Sequence, residues 1–203
     1  MKLYYMPGAC PLAAHIVLEW TGAPHEAVQV ARDDLKKPDY LAINPLGVVP
    51  SLEADGEVIT ENSGILTYLA ELHPEAGLEG DGSAMSKAHV YSWLGFVNSD
   101  MHPAFKPIFG ATRYLDDDAM IEKSHADARS RLRGMFEIVD RQLKGRDWIA
   151  GTRSLADPYL FVMIRWAKGT AVDLSGLDEV ARFYAHMLAD AGVQRALKAE
   201  GLA

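Results

Sequence analysis

Cysteine is almost absent from this chain, since its 203 residues include a single one, Cys10. One cysteine excludes an intramolecular disulfide and fits a reducing compartment. A redox reaction at this residue must be a monothiol reaction, in which the second thiol comes from another molecule. The 7 histidines are scattered along the sequence. Because no group of them has metal-ligand spacing, we expect no bound metal.

Excess positive charge and long apolar runs are also missing. The formal net charge is -8 at pH 7, and no basic stripe is present, so a nucleic-acid partner is not expected. The longest purely apolar run, Tyr159 to Ile164, is far too short to span a bilayer. No secretory signal is visible near the start. These absences predict a cytoplasmic protein without a membrane partner.

The opening segment places the only thiol beside the start of a helix. An alternating strand pattern precedes a Pro7-Gly8 turn, and helical spacing of apolar residues begins at Leu12. Pro11 suits the first helical position, because its missing N–H would have no partner there. Cys10 then lies at or beside the N-cap, where the helix dipole favours an anion. We therefore expect an acidic, reactive thiol; the alternative is a small buried hydrophobe.

The remaining pattern predicts two domains. Residues 1–78 contain strand, helix, strand, short helix, two strands and a helix, with Asp55-Gly56 as the hairpin turn. This order indicates a small mixed α/β sheet with helices on both faces. A Pro- and Gly-rich linker follows, and residues 84–203 show only helical patterns. A long helix from about Ser83 to Tyr114 should bend or break at Pro103 and Pro107.

Two further helices of the second domain have recognisable starts. One runs from about Asp117 to Leu143. The other is opened by a capping box, in which Ser154 is the N-cap and Asp157 stands three residues on. Asp157 is accordingly predicted to be structural and not catalytic.

Several motifs give the chain a close resemblance to the cytosolic glutathione transferases, in particular the bacterial beta class. They cover essentially the whole sequence and comprise Met1-Lys2-Leu3-Tyr4-Tyr5 with Pro7-Gly8-Ala9-Cys10, Tyr40 to Pro45, Gly47-Val48-Val49-Pro50, Thr60-Glu61, Ala156 to Phe161 and Arg165-Trp166-Ala167. The resemblance implies a thioredoxin-like glutathione-binding domain at 1–78 and an all-helical domain at 84–203 that forms an electrophile pocket. It also implies a homodimer that detoxifies hydrophobic electrophiles by conjugating them with glutathione.

The implied glutathione-binding residues are Val49, Pro50, Glu61, Asn62, Ser99 and Lys36. The family's proline at the Pro50 position is cis, which would turn the backbone N–H and C=O of Val49 toward the cysteinyl part of glutathione. Glu61 would meet the ammonium group and Asn62 the carboxylate of the γ-glutamyl end, at a helix start. The structural alternatives are a strand-start proline and an ordinary helix cap.

The implied catalytic residues are Cys10 and His102. Cys10 would face the glutathione sulfur, as a hydrogen-bonding partner or through a mixed disulfide. His102 would donate to the glutathione thiolate and lower its pKa, or hold a water. The residues assigned to the electrophile pocket are Tyr5, Phe105, Phe109 and Trp166.

The sequence departs from the family pattern at the thiol site. Gly95 stands where an asparagine is usual, with Asn98 and Ser99 one turn further on as substitutes, and Pro103 stands where a lysine is usual. Two alternatives to conjugation remain. One is glutaredoxin-like thiol–disulfide exchange through Cys10, and the other is non-catalytic ligand binding on the same scaffold.

Overall fold

The computed structural model describes residues 1–203, the whole chain. The predicted order of elements in the first domain is confirmed. The elements are β1 Lys2–Tyr5, α1 Leu12–Thr21, β2 Glu26–Gln29, α2 Pro38–Ile43, β3 Ser51–Ala54, β4 Glu57–Thr60 and α3 Asn62–Leu72. β3 begins directly after Pro50, which cannot donate to a strand ladder.

The four strands form one mixed sheet in the order β2-β1-β3-β4. β1 is parallel to β2 and antiparallel to β3, and β3 is antiparallel to β4. Successive side chains of β1 point to opposite faces. Leu3 joins the main core beneath α1 and α3, whereas Tyr4 packs with Tyr40 of α2 on the other face.

The second half is helical, as predicted. Its helices are α4 Ala84–Gly95, α5 His102–Ala104, α6 Asp118–Leu143, α7 Ala156–Gly169, α8 Asp178–Ala189 and α9 Ala191–Ala199. None of them combines the length and apolar character needed to cross a membrane. One core cluster contains residues of both halves, from Leu12 in α1 to Phe161 in α7.

The predicted long helix from Ser83 to Tyr114 is interrupted in two places. A π-helical turn, Phe96–Met101, joins α4 to α5 just before Pro103. Pro103 has no backbone N–H to donate within a helix, and a π-helical turn is one way in which a helix accommodates such an interruption. A second π-helical turn begins at Pro107, and Gly110 within it has φ of 100°. The kink therefore lies at Gly110, whereas the residues that flank the first π-helical turn keep helical backbone angles.

The capping box predicted before α7 is only half formed. The Ser154 N–H and hydroxyl donate to Asp157 Oδ2 at 2.7 and 2.8 Å, and the Ile149 N–H donates to Oδ1 at 2.9 Å. The serine hydroxyl thus donates and does not cap the helix as an acceptor. Asp157 is fully buried, and burial raises the pKa of its carboxyl to about 7 against the effect of these hydrogen bonds.

Candidate active site

A cavity of about 380 Å³ lies where the sheet domain meets the helical domain. The residues on its wall are Cys10, Val48, Val49, Pro50, Glu61, Asn62, Asn98, His102, Pro103, Lys106 and Tyr159. Six of the twelve residues predicted from the sequence are brought together here. The first domain supplies the residues up to 62, and the helical domain supplies the others.

Cys10 stands one residue before Pro11, the N-cap of α1. Its Sγ lies 3.7 Å from the carbonyl oxygen of Val49, to which the thiol donates. Its own carbonyl accepts a hydrogen bond from Asn62 Nδ2 at 2.7 Å. The thiol is therefore held between the segment before β3 and the start of α3.

The expected acidity of Cys10 is wrong. Burial raises the pKa of its thiol to about 12, and the negative charge of Glu61 acts in the same direction. A helix dipole contributes only about 0.3–1 kcal/mol to an exposed anion, which is less than the cost of burying a thiolate away from water. Cys10 is accordingly a protonated thiol at neutral pH.

The Val49-Pro50 bond is cis, as expected from the resemblance. The Val48 carbonyl accepts from Asn44 Nδ2 and from the Tyr40 hydroxyl, at 2.8 and 2.9 Å, so this segment is held from the side of α2. The Val49 N–H makes no hydrogen bond within the protein. An extended segment with a free donor on a cavity wall can pair with a peptide backbone.

The start of α3 offers a second group of unpaired donors. The first intrahelical bond runs from the Ile65 N–H to the Glu61 carbonyl, so the preceding N–H groups are free. Glu61 precedes the helix with φ of 66°, a conformation that costs a non-glycine residue about 1–3 kcal/mol. Asn62 is 2% exposed, and its Oδ1 has no partner.

His102 belongs to a small polar cluster that the sequence pattern did not reveal. Its Nδ1 lies 2.6 Å from the Tyr159 hydroxyl, whose oxygen is also 3.4 Å from Asn98 Oδ1. The pKa of Tyr159 is well above its usual value, mainly because of burial. The pKa of His102 is lowered to about 4 by burial, with a contribution from Lys106. His102 is therefore a neutral imidazole at physiological pH.

Replacement of His102 by asparagine should weaken the pH dependence of stability. A histidine with a folded pKa of about 4 and an unfolded pKa of about 6.5 takes up a proton on unfolding, so stability is lost as pH falls through this window. Between pH 7 and pH 4.5, the variant should lose about 2 kcal/mol less free energy of unfolding than the wild type. Urea unfolding at both pH values measures the difference. The same substitution at exposed His89 is the control, and equal pH dependence in wild type and His102→Asn would contradict a neutral buried imidazole.

The four residues assigned to the electrophile pocket do not lie on the wall of this cavity. Tyr5 and Phe105 are buried at 5% and 0% exposure and belong to the packed interior, which corrects their assignment to a ligand surface. Trp166 and Phe109 lie closer to solvent. The Trp166 ring is 4.9 Å from that of His102 and 5.0 Å from that of Phe109, and its Nε1 donates to the Gly8 carbonyl.

Ser99 and Lys36 are also outside the main cavity. Ser99 is exposed beside a neighbouring shallow cavity that includes Gly95 and Asn98. Asn98 lines both cavities, so of the two expected substitutes for the family asparagine it is the one at the thiol site. Lys36 donates to the Leu46 carbonyl at 2.7 Å.

Tyr159 and Lys106 are the wall residues that the sequence reading missed. Tyr159 belongs to the longest apolar run of the chain, where a tyrosine looks like a core residue. Lys106 follows the α5 segment and is exposed. The spacing of four residues between His102 and Lys106 could have placed both on one helical face.

A thioredoxin-like sheet domain and a helical domain that together enclose one cavity are the organisation of a two-domain transferase. The model of the family described as "Glutathione S-transferase, N-terminal domain" matches residues 3–77. A glutathione S-transferase of Xanthomonas campestris pv. campestris is 53% identical over the full length of both chains, and one of Escherichia coli O157:H7 is 37% identical, again with both chains fully covered. The chain therefore belongs to the glutathione S-transferase family and is an enzyme.

Solved structures agree with this assignment and suggest the class. A glutathione S-transferase from Xylella fastidiosa superposes with a TM-score of 0.97 at 46% identity, covering 100% of this chain and 99% of the other. A bacterial beta-class glutathione S-transferase from Sphingomonas chungbukensis superposes with a TM-score of 0.89 at 36% identity, with full coverage of both chains. The predicted thioredoxin-like and all-helical architecture is confirmed.

Proposed function

We propose that this enzyme conjugates the glutathione thiolate to small hydrophobic electrophiles in the cavity between its domains. The observation that carries the proposal is the composition of the cavity wall. Val49 and Asn62, whose N–H groups are free, and Cys10 all line one space, which also includes His102. A tripeptide thiol fits a wall of this kind because its backbone, its terminal carboxylate and its sulfur each find a matching group.

Glutathione would extend along the first domain. Its cysteinyl backbone pairs with Val49, and its γ-glutamyl carboxylate accepts from the N–H groups at the start of α3. Glu61 meets the ammonium group. Lys36 lies beside the segment leading to Val49 and remains the proposed contact for the glycyl carboxylate, whereas Ser99 would border the γ-glutamyl end.

The thiolate would be stabilised mainly by neutral donors. His102 is neutral, and when the Tyr159 hydroxyl donates to its Nδ1 the single N–H lies on Nε2, while Cys10 keeps its proton, so both can donate hydrogen bonds without carrying charge. Tyr159 and Asn98 hold the imidazole in place. Lys106 contributes a positive charge on the same wall. Preorganised donors of this kind stabilise an anion without reorganisation during the reaction.

The electrophile would enter beside Trp166, whose ring adjoins that of His102, and Phe109, whose ring adjoins that of Trp166. Phe109 is 49% exposed, so an apolar substrate would cover surface that now faces water. Within a series of aromatic halides, kcat/KM should therefore rise with the apolar area of the substrate. The same protein should show heat of glutathione binding in calorimetry, and an absence of both signals would reject the proposal.

Two substitutions at Glu61 test the proposed ammonium contact. Glu61→Gln keeps the shape and the backbone conformation but removes the charge, so glutathione should bind at least about tenfold more weakly while thermal stability is unchanged. Glu61→Gly also removes the side chain but relieves the positive φ, and should stabilise the fold by about 1 kcal/mol. Calorimetry and thermal unfolding measure the two effects separately. Wild-type affinity in Glu61→Gln would show that the ammonium group lies elsewhere.

A cytoplasmic homodimer with a detoxifying role completes the proposal. The supporting features are the single free cysteine and exposed apolar side chains, among them Met85 on α4 and Val58 on the edge strand β4. Sedimentation of the purified protein would measure the oligomeric state.

A further inference from the structure

Three side chains that commonly bind metals meet outside the cavity. His15 and Glu19 are one turn apart on α1, and His25 precedes β2. One ligand atom of each residue lies within 4.8 Å of the ligand atoms of the other two. The spacing of the histidines in the sequence did not predict this group, because His25 approaches α1 only after the turn at Gly22.

Both imidazoles are oriented by acceptors on Nδ1. His15 Nδ1 lies 3.0 Å from Glu200 Oε1, and His25 Nδ1 lies 2.9 Å from the Ala23 carbonyl oxygen. A carbonyl or carboxylate oxygen accepts only, so each Nδ1 carries the proton and each Nε2 keeps its lone pair. Metal-binding histidines are held in this way, with carboxylate or carbonyl acceptors fixing the tautomer.

Glu19 offers the third ligand atom. Glu19 Oε2 accepts from Arg195 Nε at 2.5 Å, whereas Oε1 lies 3.9 Å from His25 Nε2. The site therefore faces two carboxylates, Glu19 and Glu200, and one guanidinium. Metal binding requires neutral imidazoles, so the two carboxylates and one guanidinium around a bound ion would sum to one negative charge.

We propose that His15, Glu19 and His25 form a binding site for a divalent transition-metal ion of the Zn²⁺ type. Two imidazole nitrogens and one carboxylate oxygen are a common ligand set for zinc, with a fourth position for water. Bond lengths of about 2.0–2.2 Å require the ligand atoms to move somewhat closer together. His15 is 1% exposed and fixed, but the side chains of Glu19 and His25 retain 19% and 13% exposure, so they can close on an ion that arrives from solvent.

Titration of the chelator-treated full-length protein with zinc chloride tests the site. Calorimetry should show one ion per chain and thermal unfolding should shift upward with zinc, because an ion that binds only the folded state stabilises it. His25→Gln and Glu19→Gln, both at partly exposed positions, should each weaken binding at least tenfold. His89→Gln at an exposed site is the matched control and should bind as the wild type does.

Cys10→Ser separates this site from the cavity, since its zinc affinity should be unchanged. Cobalt(II) in place of zinc should give the visible bands of a nitrogen and oxygen site without thiolate charge-transfer absorption. No heat with zinc chloride, wild-type affinity in His25→Gln, or loss of binding in Cys10→Ser would each overturn the proposal.

Discussion

Asp157→Ala should lower the free energy of unfolding by about 3–5 kcal/mol, because it removes the buried acceptor of three hydrogen bonds. The fully buried carboxylate accepts hydrogen bonds from two backbone N–H groups and one hydroxyl. Alanine would leave the N–H groups of Ile149 and Ser154 buried without acceptors, which costs about 1–3 kcal/mol each. Chemical denaturation at pH 7 measures the loss directly.

Two other variants control for this effect. Asp157→Asn keeps the volume and one acceptor oxygen, so it should lower the free energy of unfolding less than Asp157→Ala does. Asp33→Ala, at an exposed carboxylate, should change stability by no more than about 0.5 kcal/mol. A loss below about 1 kcal/mol in Asp157→Ala would show that the Ser154 turn does not depend on this residue.

Cys10→Ala should separate the two reactions considered for this enzyme. Glutathione-dependent disulfide reduction should fall at least about 100-fold, because exchange needs a sulfur nucleophile at this position. Conjugation of chlorodinitrobenzene should fall less than about tenfold, because the attacking sulfur belongs to glutathione and Cys10 supplies one donor among several. Steady-state assays with both substrates give the two ratios.

Cys10→Ser is the matched variant for this experiment. Its hydroxyl keeps a hydrogen-bond donor, so conjugation should return close to the wild-type rate while disulfide reduction stays lost. At a pKa of about 12 only about one molecule in 10⁵ carries the Cys10 thiolate at pH 7, so the disulfide reduction that Cys10 supports in the wild type should already be slow beside conjugation. Loss of conjugation beyond about 100-fold in both variants would mean that the thiol takes part in both reactions.

Local patterns in the sequence predicted most of the fold. Asp55-Gly56 forms the turn between β3 and β4, and the helix predicted from about Asp117 to Leu143 is α6, Asp118–Leu143. Each feature depends on a few neighbouring residues whose backbone preferences point the same way. The predicted helix boundaries were less accurate in the segment from α4 to the π-helical turn at Pro107, where prolines interrupt one long helical pattern.

The candidate site was predictable only in part. Cys10, Val49, Pro50, Glu61, Asn62 and His102 share the cavity wall, as their motifs implied. Tyr5 and Phe105 lie in the core instead, since an aromatic at helical or strand spacing has the same pattern whether it faces a ligand or the interior. Tyr159 escaped notice for the same reason.

The sequence by itself determined the order of elements, the family and the identity of the only thiol, because these depend on local preference and on motifs. Only the tertiary structure decided the protonation states of the side chains in the cavity and which residues from distant segments contact one another. Burial raises the pKa of Cys10 and lowers that of His102, and folding brings His25 to the Glu19 face of α1. Desolvation and contacts between distant segments exist only after the chain has packed, so local sequence patterns do not predict them.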